Sequence, residues 1–343
     1  MAILNHLKIS AFYDMFKAID VAYSKEISQV TGLVQNQIFL KCVGDVWPCV
    51  IFSSSFEGAK VVVGLKSGIL QKMDRANNMV SLRFCFKITE KGNPVTFFVN
   101  TKYMGHTPYG ETPDVAMFNL RFTQRPPDDL IEIMGRILDA NVNSVKRRDE
   151  RVIISPETIR KLNLASKDGA VFIEGVPRNC ILRDLAFPGA RIIMMGVAKF
   201  LVGKKAALRV AFEDPRESFL IDGTLEKAEM VVGRKDLIVI TMNFNENTVP
   251  MGYKLRMNDY ISVIREVAKD AEEAGAPELA KAAAAPEGAK APEAAEEAKE
   301  APAPKAEAAK AETPAPKAGA AKAPEKTGGA GVAKVAEGAK GAE

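Results

Sequence analysis

Three arginines in one short segment have the chemistry to bind an anionic ligand. Arg147 and Arg151 have RxxxR spacing with Arg148 between them, and Asp184 and Gly189 follow later in a second motif. Guanidinium groups bind phosphate through paired hydrogen bonds and stack on flat purine rings. A carboxylate accepts hydrogen bonds from base N–H groups, and glycine lets backbone come close where a Cβ would clash. These residue types predict a site for a small anionic nucleotide.

The two motifs resemble the signature of the PilZ family of cyclic di-GMP receptors, which is RxxxR followed by (D/N)xSxxG. Arg147 and Arg151 match the first part, and Asp184 and Gly189 match the second, but Ala186 occupies the serine position. A lost hydrogen bond of this kind is worth about 0.5–1.5 kcal/mol, so we expect a weakened site that is still present. The resemblance covers about residues 1–266 and looks like the spirochaetal two-domain type.

The resemblance implies a role for each motif residue and a ligand, cyclic di-GMP, of which two intercalated molecules share one site. Arg147 and Arg151 would clasp phosphates and stack on guanine, Asp184 would accept from a guanine edge, and Gly189 would admit the backbone. Arg148 is either a further phosphate contact or a solvent-facing residue. Each motif alone is common, since RxxxR also marks a solvated helix face and DxxxxG a β-turn. Their combination favours the binding site.

An internal repeat organises the part of the chain that carries these motifs. Residues 49–62 align without gaps on residues 180–193, with identical Cys, Phe, Gly and Ala. Short β-branched and aromatic runs separated by turn residues predict small antiparallel barrels in each copy. Three further matches occur in the same order, which argues for a duplicated domain: Ile38–Leu40 with Val171–Ile173, Leu82–Phe86 with Leu208–Phe212, and Leu120–Phe122 with Met242–Phe244.

The predicted fold class is therefore mainly β, with two tandem PilZ-like barrels and a helical linker. We assign residues 1–125 to a degenerate first barrel, 126–146 to the linker and 147–266 to the ligand-binding barrel. Asp128 is the expected cap at the start of the linker helix. Residues 267–343, almost entirely Ala, Lys, Glu, Pro and Gly, bury too little apolar surface to fold, and we predict disorder.

The two copies differ where ligand chemistry would occur. Ser53 stands in place of Asp184 and Ser55 in place of Ala186, and no arginine precedes Gln37. We therefore expect only the second barrel to bind the nucleotide. Alternation along the strand would turn Arg183 to the face opposite its neighbour Asp184. A ligand held by the linker arginines would also fix one domain relative to the other, which is a known kind of switch.

Composition excludes several other classes. Residues 1–268 carry a net charge of +7 and residues 269–343 one of −3, so the folded part favours anionic ligands. No apolar run is long enough to span a membrane, and the first residues lack a secretory pattern. The four cysteines show no metal-ligand spacing, so we expect a cytoplasmic protein with reduced thiols and no metal.

No nucleophile motif or paired metal carboxylates suggest an enzyme, so we expect a receptor without catalytic residues or a cofactor. Such a receptor needs a downstream partner, and a protein of the motility or regulatory machinery would fit. One alternative is a nucleic-acid-binding protein, whose basic residues would contact phosphates in a salt-dependent way. The other is a ligand-independent scaffold that uses both barrels and the tail to hold protein partners.

Overall fold

The computed structural model describes residues 2–66, 68–87, 93–231 and 233–273 of the chain. In the first copy the strands are β1 (Val21–Ala22), β2 (Phe39–Cys42), β3 (Asp45–Ser54), β4 (Gly58–Gly64), β5 (Met79–Phe86), β6 (Val95–Pro108) and β7 (Val115–Phe122). The helices there are α1 (Ala2–Phe16), α2 (Lys25–Thr31), α3 (Ile69–Arg75) and α4 (Asp128–Lys146).

In the second copy the strands are β8 (Val152–Ile153), β9 (Asp168–Ile173), β10 (Val176–Ala186), β11 (Gly189–Met195), β12 (Lys205–Phe212), β13 (Glu217–Val231) and β14 (Arg234–Phe244). Its helices are α5 (Pro156–Leu162) and α6 (Met251–Glu273). No helix in the described ranges combines the length and the apolar character needed to cross a bilayer.

Each copy closes into an antiparallel barrel of six strands. Barrel one has the order β3–β2–β5–β6–β7–β4, and β4 pairs back to β3. Barrel two repeats this with β10–β9–β12–β13–β14–β11, closed by β11 on β10. A closed ring leaves no open edge, and each barrel has its own apolar core. The predicted fold of two tandem small barrels is confirmed.

The hairpins show that the duplication extends to backbone details. The β2–β3 turn is Val43–Gly44 and the β9–β10 turn is Glu174–Gly175, with positive φ at both positions of each turn. Such two-residue turns match the twist of the strands they join. Both β3 and β10 then contain a register shift, between Ile51 and Ser53 and between Leu182 and Asp184. The alignment of residues 49–62 with 180–193 is confirmed.

Of the three other predicted matches, two are correct and one is shifted by two residues. The turns Val43–Gly44 and Glu174–Gly175 correspond, so the equivalent of Leu40 is Val171 and not Ile173. Leu40 pairs with Leu82 and Val171 pairs with Leu208, which confirms the match of Leu82–Phe86 with Leu208–Phe212. Gly58 pairs with Arg121 and Gly189 pairs with Asn243, which confirms the match of Leu120–Phe122 with Met242–Phe244. A slip of two residues keeps the same face of a strand, so the hydrophobic pattern alone did not reveal it.

The helix after barrel one belongs to both copies. Leu130, Ile131 and Met134 of α4 lie in the core of barrel one. Helix α4 also packs against both α1 and α6. It thus follows barrel one as α6 follows barrel two, and it precedes barrel two as α1 precedes barrel one. The predicted linker helix is therefore a structural part of barrel one as well as a connection.

Two expectations about helix ends need correction. The N-cap of α4 is Pro127 and not Asp128, which lies in the first turn and pairs with Arg125 at 3.2 Å. Helix α6 continues to Glu273, past residue 267 where we placed the start of the tail, because no Pro or Gly occurs between Gly252 and Gly275. Residues 274–343 lie outside the described residues, so their predicted disorder stays a prediction, as do the domain limits.

One glycine in each barrel is required by the neighbouring strand. A Cβ on Gly58 would lie 2.4 Å from the carbonyl oxygen of Leu120, and one on Gly189 would lie 2.3 Å from that of Met242. Gly64, at the other end of the same strand as Gly58, has only one backbone atom near, at 4.0 Å. The conserved position within the repeat thus reflects close packing of β4 on β7 and of β11 on β14.

We predict that Gly58→Ala destabilises the protein by about 1–3 kcal/mol, because the backbone of β7 must shift. Urea denaturation followed by tryptophan fluorescence of Trp47 measures the change in the free energy of unfolding. The matched control is Gly64→Ala, for which we expect a change within about 0.5 kcal/mol. Equal losses in both variants would contradict the steric explanation.

Candidate ligand-binding site

The arginine segment begins where α4 ends. Arg147 is the C-cap of this helix, and its backbone N–H donates to the carbonyl of Asn143 at 2.8 Å. The side-chain atom Nη1 of Arg147 is buried, and within the described part of the chain no acceptor reaches it. A buried guanidinium nitrogen without an acceptor is rare, because its desolvation is not offset by a hydrogen bond. This atom is therefore a candidate contact for an anion.

Asp184 is the buried charge of the site. Its residue exposure is 3%, and its Oδ1 accepts a hydrogen bond from Nη1 of Arg151 at 2.7 Å. A second guanidinium, that of Arg191, lies 3.8 Å from Oδ2. A carboxylate removed from water needs such cations, because burial strongly disfavours an unpaired charge. The structure thus brings together Arg151 and Asp184, as the motifs predict, and adds Arg191.

The register shift in β10 explains how Asp184 reaches this position. Leu182 and Leu185 both lie in the core of barrel two, so the two residues between them both face away from it. The expectation that alternation separates Arg183 from Asp184 is therefore wrong, because a bulge adds one residue to the strand. Arg183 is exposed, whereas Asp184 is covered by Arg151.

A tyrosine of α6 forms a hydrogen bond with the turn between β10 and β11. Tyr253 of α6 is fully buried, and its hydroxyl donates to the carbonyl oxygen of Ala186 at 2.8 Å. Burial raises the pKa of Tyr253 far above its usual value, so the phenol remains a donor. Ala186 pairs with Gly189 across the turn, and both residues are buried. The motif residues of this turn therefore act through backbone geometry.

Ala186, at the serine position of the motif, occurs together with a second difference between the barrels, at position 188. In barrel one the hydroxyl of Ser55 accepts from the N–H of Glu57 at 3.2 Å. The equivalent of Glu57 in barrel two is Pro188, which has no N–H to donate. The hydroxyl missing at Ala186 thus leaves no turn amide unsatisfied. The cost that we expected from this substitution does not arise within the turn itself.

Two predicted site residues have other partners. Arg148 is about half exposed and forms an ion pair with Glu246 rather than with Asp184. Position 189 must be glycine because a Cβ there would clash with the carbonyl oxygen of Met242, and a Cβ on the equivalent Gly58 would clash in the same way with that of Leu120. The glycine is therefore not diagnostic of ligand binding. Its predicted role in admitting a ligand stays a prediction.

In barrel one, other side chains occupy the positions equivalent to the candidate site residues. Phe16, at the position of Arg147, is buried in the core of barrel one. Asp20, at the position of Arg151, pairs with Lys60, at the position of Arg191, at 2.7 Å. Ser53 replaces the carboxylate of Asp184 with a neutral hydroxyl. In barrel one an apolar ring and the Asp20–Lys60 ion pair thus occupy the positions that hold three arginines in barrel two.

Arg191 and Tyr253 are not among the residues predicted from the sequence. Arg191 lies two residues after Gly189, and its strand position opposite Asp184 follows only from the register of β10 and β11. Tyr253 lies on α6, which we did not predict, although Pro250 before its first turn is a typical helix start. Among the described residues, no group of three or more His, Cys, Asp or Glu side chains is placed to hold a metal ion.

The fold and the site together define a two-barrel protein with an arginine- and aspartate-lined site on its second barrel. A model of the PilZN3 domain family matches residues 7–141. A Treponema denticola protein described as a cyclic di-GMP binding protein is 42% identical over 271 residues, which are 79% of this chain and 86% of the relative. The chain therefore belongs to the PilZ proteins of the two-domain type, with a PilZN3 domain at its N-terminus.

Two solved structures are also similar. The Borreliella burgdorferi PlzA protein in complex with c-di-GMP matches with a TM-score of 0.35 and 22% identity, over 75% of this chain and 99% of that one. Escherichia coli YcgR in complex with c-di-GMP matches with a TM-score of 0.25 and 12% identity, over 79% and 95%. At TM-scores below 0.5 these matches add no support to the function.

We predict that Arg151→Ala lowers the free energy of unfolding by about 1–3 kcal/mol, because it leaves the buried carboxylate of Asp184 with only the more distant Arg191. Urea denaturation without ligand measures this change. Arg148→Ala is the control and should cost less than about 1 kcal/mol, since its ion pair is exposed. A double variant, Arg151→Ala with Asp184→Ala, should be more stable than Arg151→Ala alone; the opposite order would contradict the pairing.

Proposed function

We propose that this chain is a receptor for cyclic di-GMP and that barrel two binds the ligand. The observation that carries the proposal is the buried Nη1 of Arg147, for which the described residues offer no acceptor and which lies in the same five-residue segment as Arg151. The Treponema denticola relative, whose name describes cyclic di-GMP binding, supports the choice of ligand. A cyclic dinucleotide offers both the phosphates and the purine faces that arginines bind.

Each residue has a distinct role in the proposed complex. Arg147 and Arg151 bind phosphate oxygens through paired hydrogen bonds and stack on guanine. Asp184, which lies beside the guanidinium groups of Arg151 and Arg191, accepts from the N–H edge of guanine. Arg191 adds positive charge on the same outer surface of barrel two. Arg148, already paired with Glu246, contributes mainly to the local potential.

The site also explains how binding reaches the rest of the protein. Arg147 caps α4, which packs in the core of barrel one, whereas Arg151 and Asp184 belong to barrel two. A ligand that contacts all three joins the end of this helix to the second barrel. We propose that ligand binding changes the arrangement of the barrels and thereby acts on a downstream protein, with no catalytic step. The free, buried state of all four cysteines supports a reducing, cytoplasmic location.

We predict that isothermal titration of the full chain with cyclic di-GMP gives saturable binding. Arg147→Ala and Arg151→Ala should each weaken it by at least about tenfold, because a charged hydrogen bond is worth roughly 1.5–3 kcal/mol. The matched control is Arg209→Ala on β12, which removes an exposed arginine far along the strands from the site and should bind like the wild type. No heat of binding with the folded wild-type chain would overturn the proposed function.

A second candidate function is nucleic-acid contact, and one surface of barrel one favours it. Phe39, Arg83 and Phe98 lie side by side on three neighbouring strands, with Arg83 4.9 Å from the ring centre of Phe39. Phe98 is 47% exposed, and Lys41 extends the same outer face. Exposed aromatic rings beside cations are the features that stack bases and attract phosphates in single-stranded nucleic acids.

If this surface binds nucleic acid, a single-stranded oligonucleotide should bind the chain more weakly as salt increases. Phe98→Ala should then weaken binding by about 1–3 kcal/mol for one lost stacking contact. Fluorescence anisotropy at two salt concentrations measures both effects, with Leu220→Ala at the equivalent position of barrel two as the control. Unchanged binding by Phe98→Ala would remove this surface from consideration.

A further inference from the structure

Helix α6 contacts three separate parts of the candidate site. Tyr253 donates to the carbonyl of Ala186 in the turn after β10. Asn258 accepts a hydrogen bond at 2.8 Å from the side chain of Asn143, one turn before Arg147. Farther along, the guanidinium of Arg265 pairs with Glu150, which lies between the two motif arginines. One rigid helix therefore holds both motifs in position without contributing a motif residue.

The first turn of α6 forms a hydrogen bond with barrel one. Glu26, in the first turn of α2, accepts a hydrogen bond from the backbone N–H of Met251. Backbone N–H groups in the first turn of a helix have no acceptor within the helix, and a carboxylate there also meets the positive end of the helix dipole. Tyr253 follows only two residues later. A contact from barrel one thus fixes the turn of α6 that supports the site.

The equivalent glutamate of barrel two does not behave in this way. Glu157 occupies the same position in α5 as Glu26 does in α2, and it pairs with Lys161 of its own helix at 2.7 Å. Both helices begin with a serine cap, Ser24 and Ser155. The duplicated framework is therefore the same, and the use of this glutamate to reach another helix is particular to barrel one.

A chain of contacts connects Glu26 to the turn between β10 and β11: Glu26 contacts Met251, and Tyr253, two residues later, contacts Ala186. Without the carboxylate, the first turn of α6 loses an acceptor for its N–H groups and becomes free to fray. The ring of Tyr253 also contacts Phe244 at the end of β14, at 5.9 Å between ring centres. Movement of this tyrosine displaces the carbonyl of Ala186, and with it the turn that follows Asp184. A small change at Glu26 therefore alters the placement of the ligand groups.

We propose that barrel one positions the ligand site of barrel two through α6, with Glu26 and Tyr253 as positioning residues that do not touch the ligand. This inference rests on the proposed function, since it assigns a role to residues around the same site. It gives the degenerate barrel a task that does not require ligand binding of its own. It also makes the coupling reciprocal, because a ligand that orders the turn must strengthen the hold of barrel one on α6.

The test is titration of the full chain with cyclic di-GMP for a set of matched variants. Glu26→Ala should weaken binding by about twofold to fivefold, as expected for a lost carboxylate at a helix start. Tyr253→Phe should weaken it by about tenfold, because the carbonyl of Ala186 loses its buried donor. Glu26→Gln keeps an oxygen that accepts the N–H of Met251 and should bind almost like the wild type. Glu157→Ala is the control and should leave the affinity unchanged.

A double variant separates positioning from general damage. If Glu26 and Tyr253 act along one route, Glu26→Ala combined with Tyr253→Phe should lose little more affinity than Tyr253→Phe alone. Additive losses, unchanged affinity in Glu26→Ala, or an equal loss in Glu157→Ala would each overturn the inference. Glu26 is exposed, so its variants are expected to fold even where Tyr253→Phe does not.

A measurement without ligand distinguishes this inference from the proposed function. Hydrogen exchange of the amides in residues 184–189 should be faster in Glu26→Ala than in the wild type and should return to the wild-type rate in Glu26→Gln. If the wild type fails to bind cyclic di-GMP but these rates change as expected, the proposed function fails and the positioning role stands. Unchanged exchange in Glu26→Ala overturns the positioning role, whatever the titration shows.

Discussion

The buried carboxylate of Asp184 is the constraint on which the arrangement of barrel two depends. A charge with 3% exposure needs a cation, and Arg151 provides it from a segment that is otherwise only a connection after α4. The ion pair therefore draws the arginine segment onto the outer surface of the barrel. It also leaves two guanidinium groups beside one carboxylate, which is an arrangement suited to an anionic ligand with a hydrogen-bonding edge.

The two barrels share a backbone framework and differ in the side chains at the positions of the candidate site. Their turns, register shifts, serine caps and close-packed glycines correspond, so the backbone needed for the site is present in both. Barrel one differs in its side chains, because Phe16 and the Asp20–Lys60 ion pair occupy the equivalent positions. Burial of Phe16 then stabilises the barrel where arginines would have required an anion.

Helices α4 and α6 connect the two barrels through different contacts. Helix α4 completes the core of barrel one and ends at Arg147, while α6 contacts the turn, α4 and the arginine segment of barrel two. Because the first turn of α6 also donates a hydrogen bond to Glu26 of α2, the two barrels share one supporting element. The proposed site in barrel two is thus supported by a helix that also contacts barrel one.

The sequence by itself was sufficient for the fold class, the duplication and the motif residues, because hydrophobic alternation and residue chemistry are local properties. It was also enough to match most strands between the copies. It could not distinguish the alignment of Leu40 with Val171 from the alignment with Ile173, two residues away. Only the tertiary structure decided that Arg151 pairs with Asp184, that Arg191 lies beside them and that Arg148 pairs with Glu246. The glycine's requirement for space and the support from α6 likewise depend on contacts between residues far apart in the chain. Such contacts follow from barrel closure and strand register, which no local pattern of residues specifies.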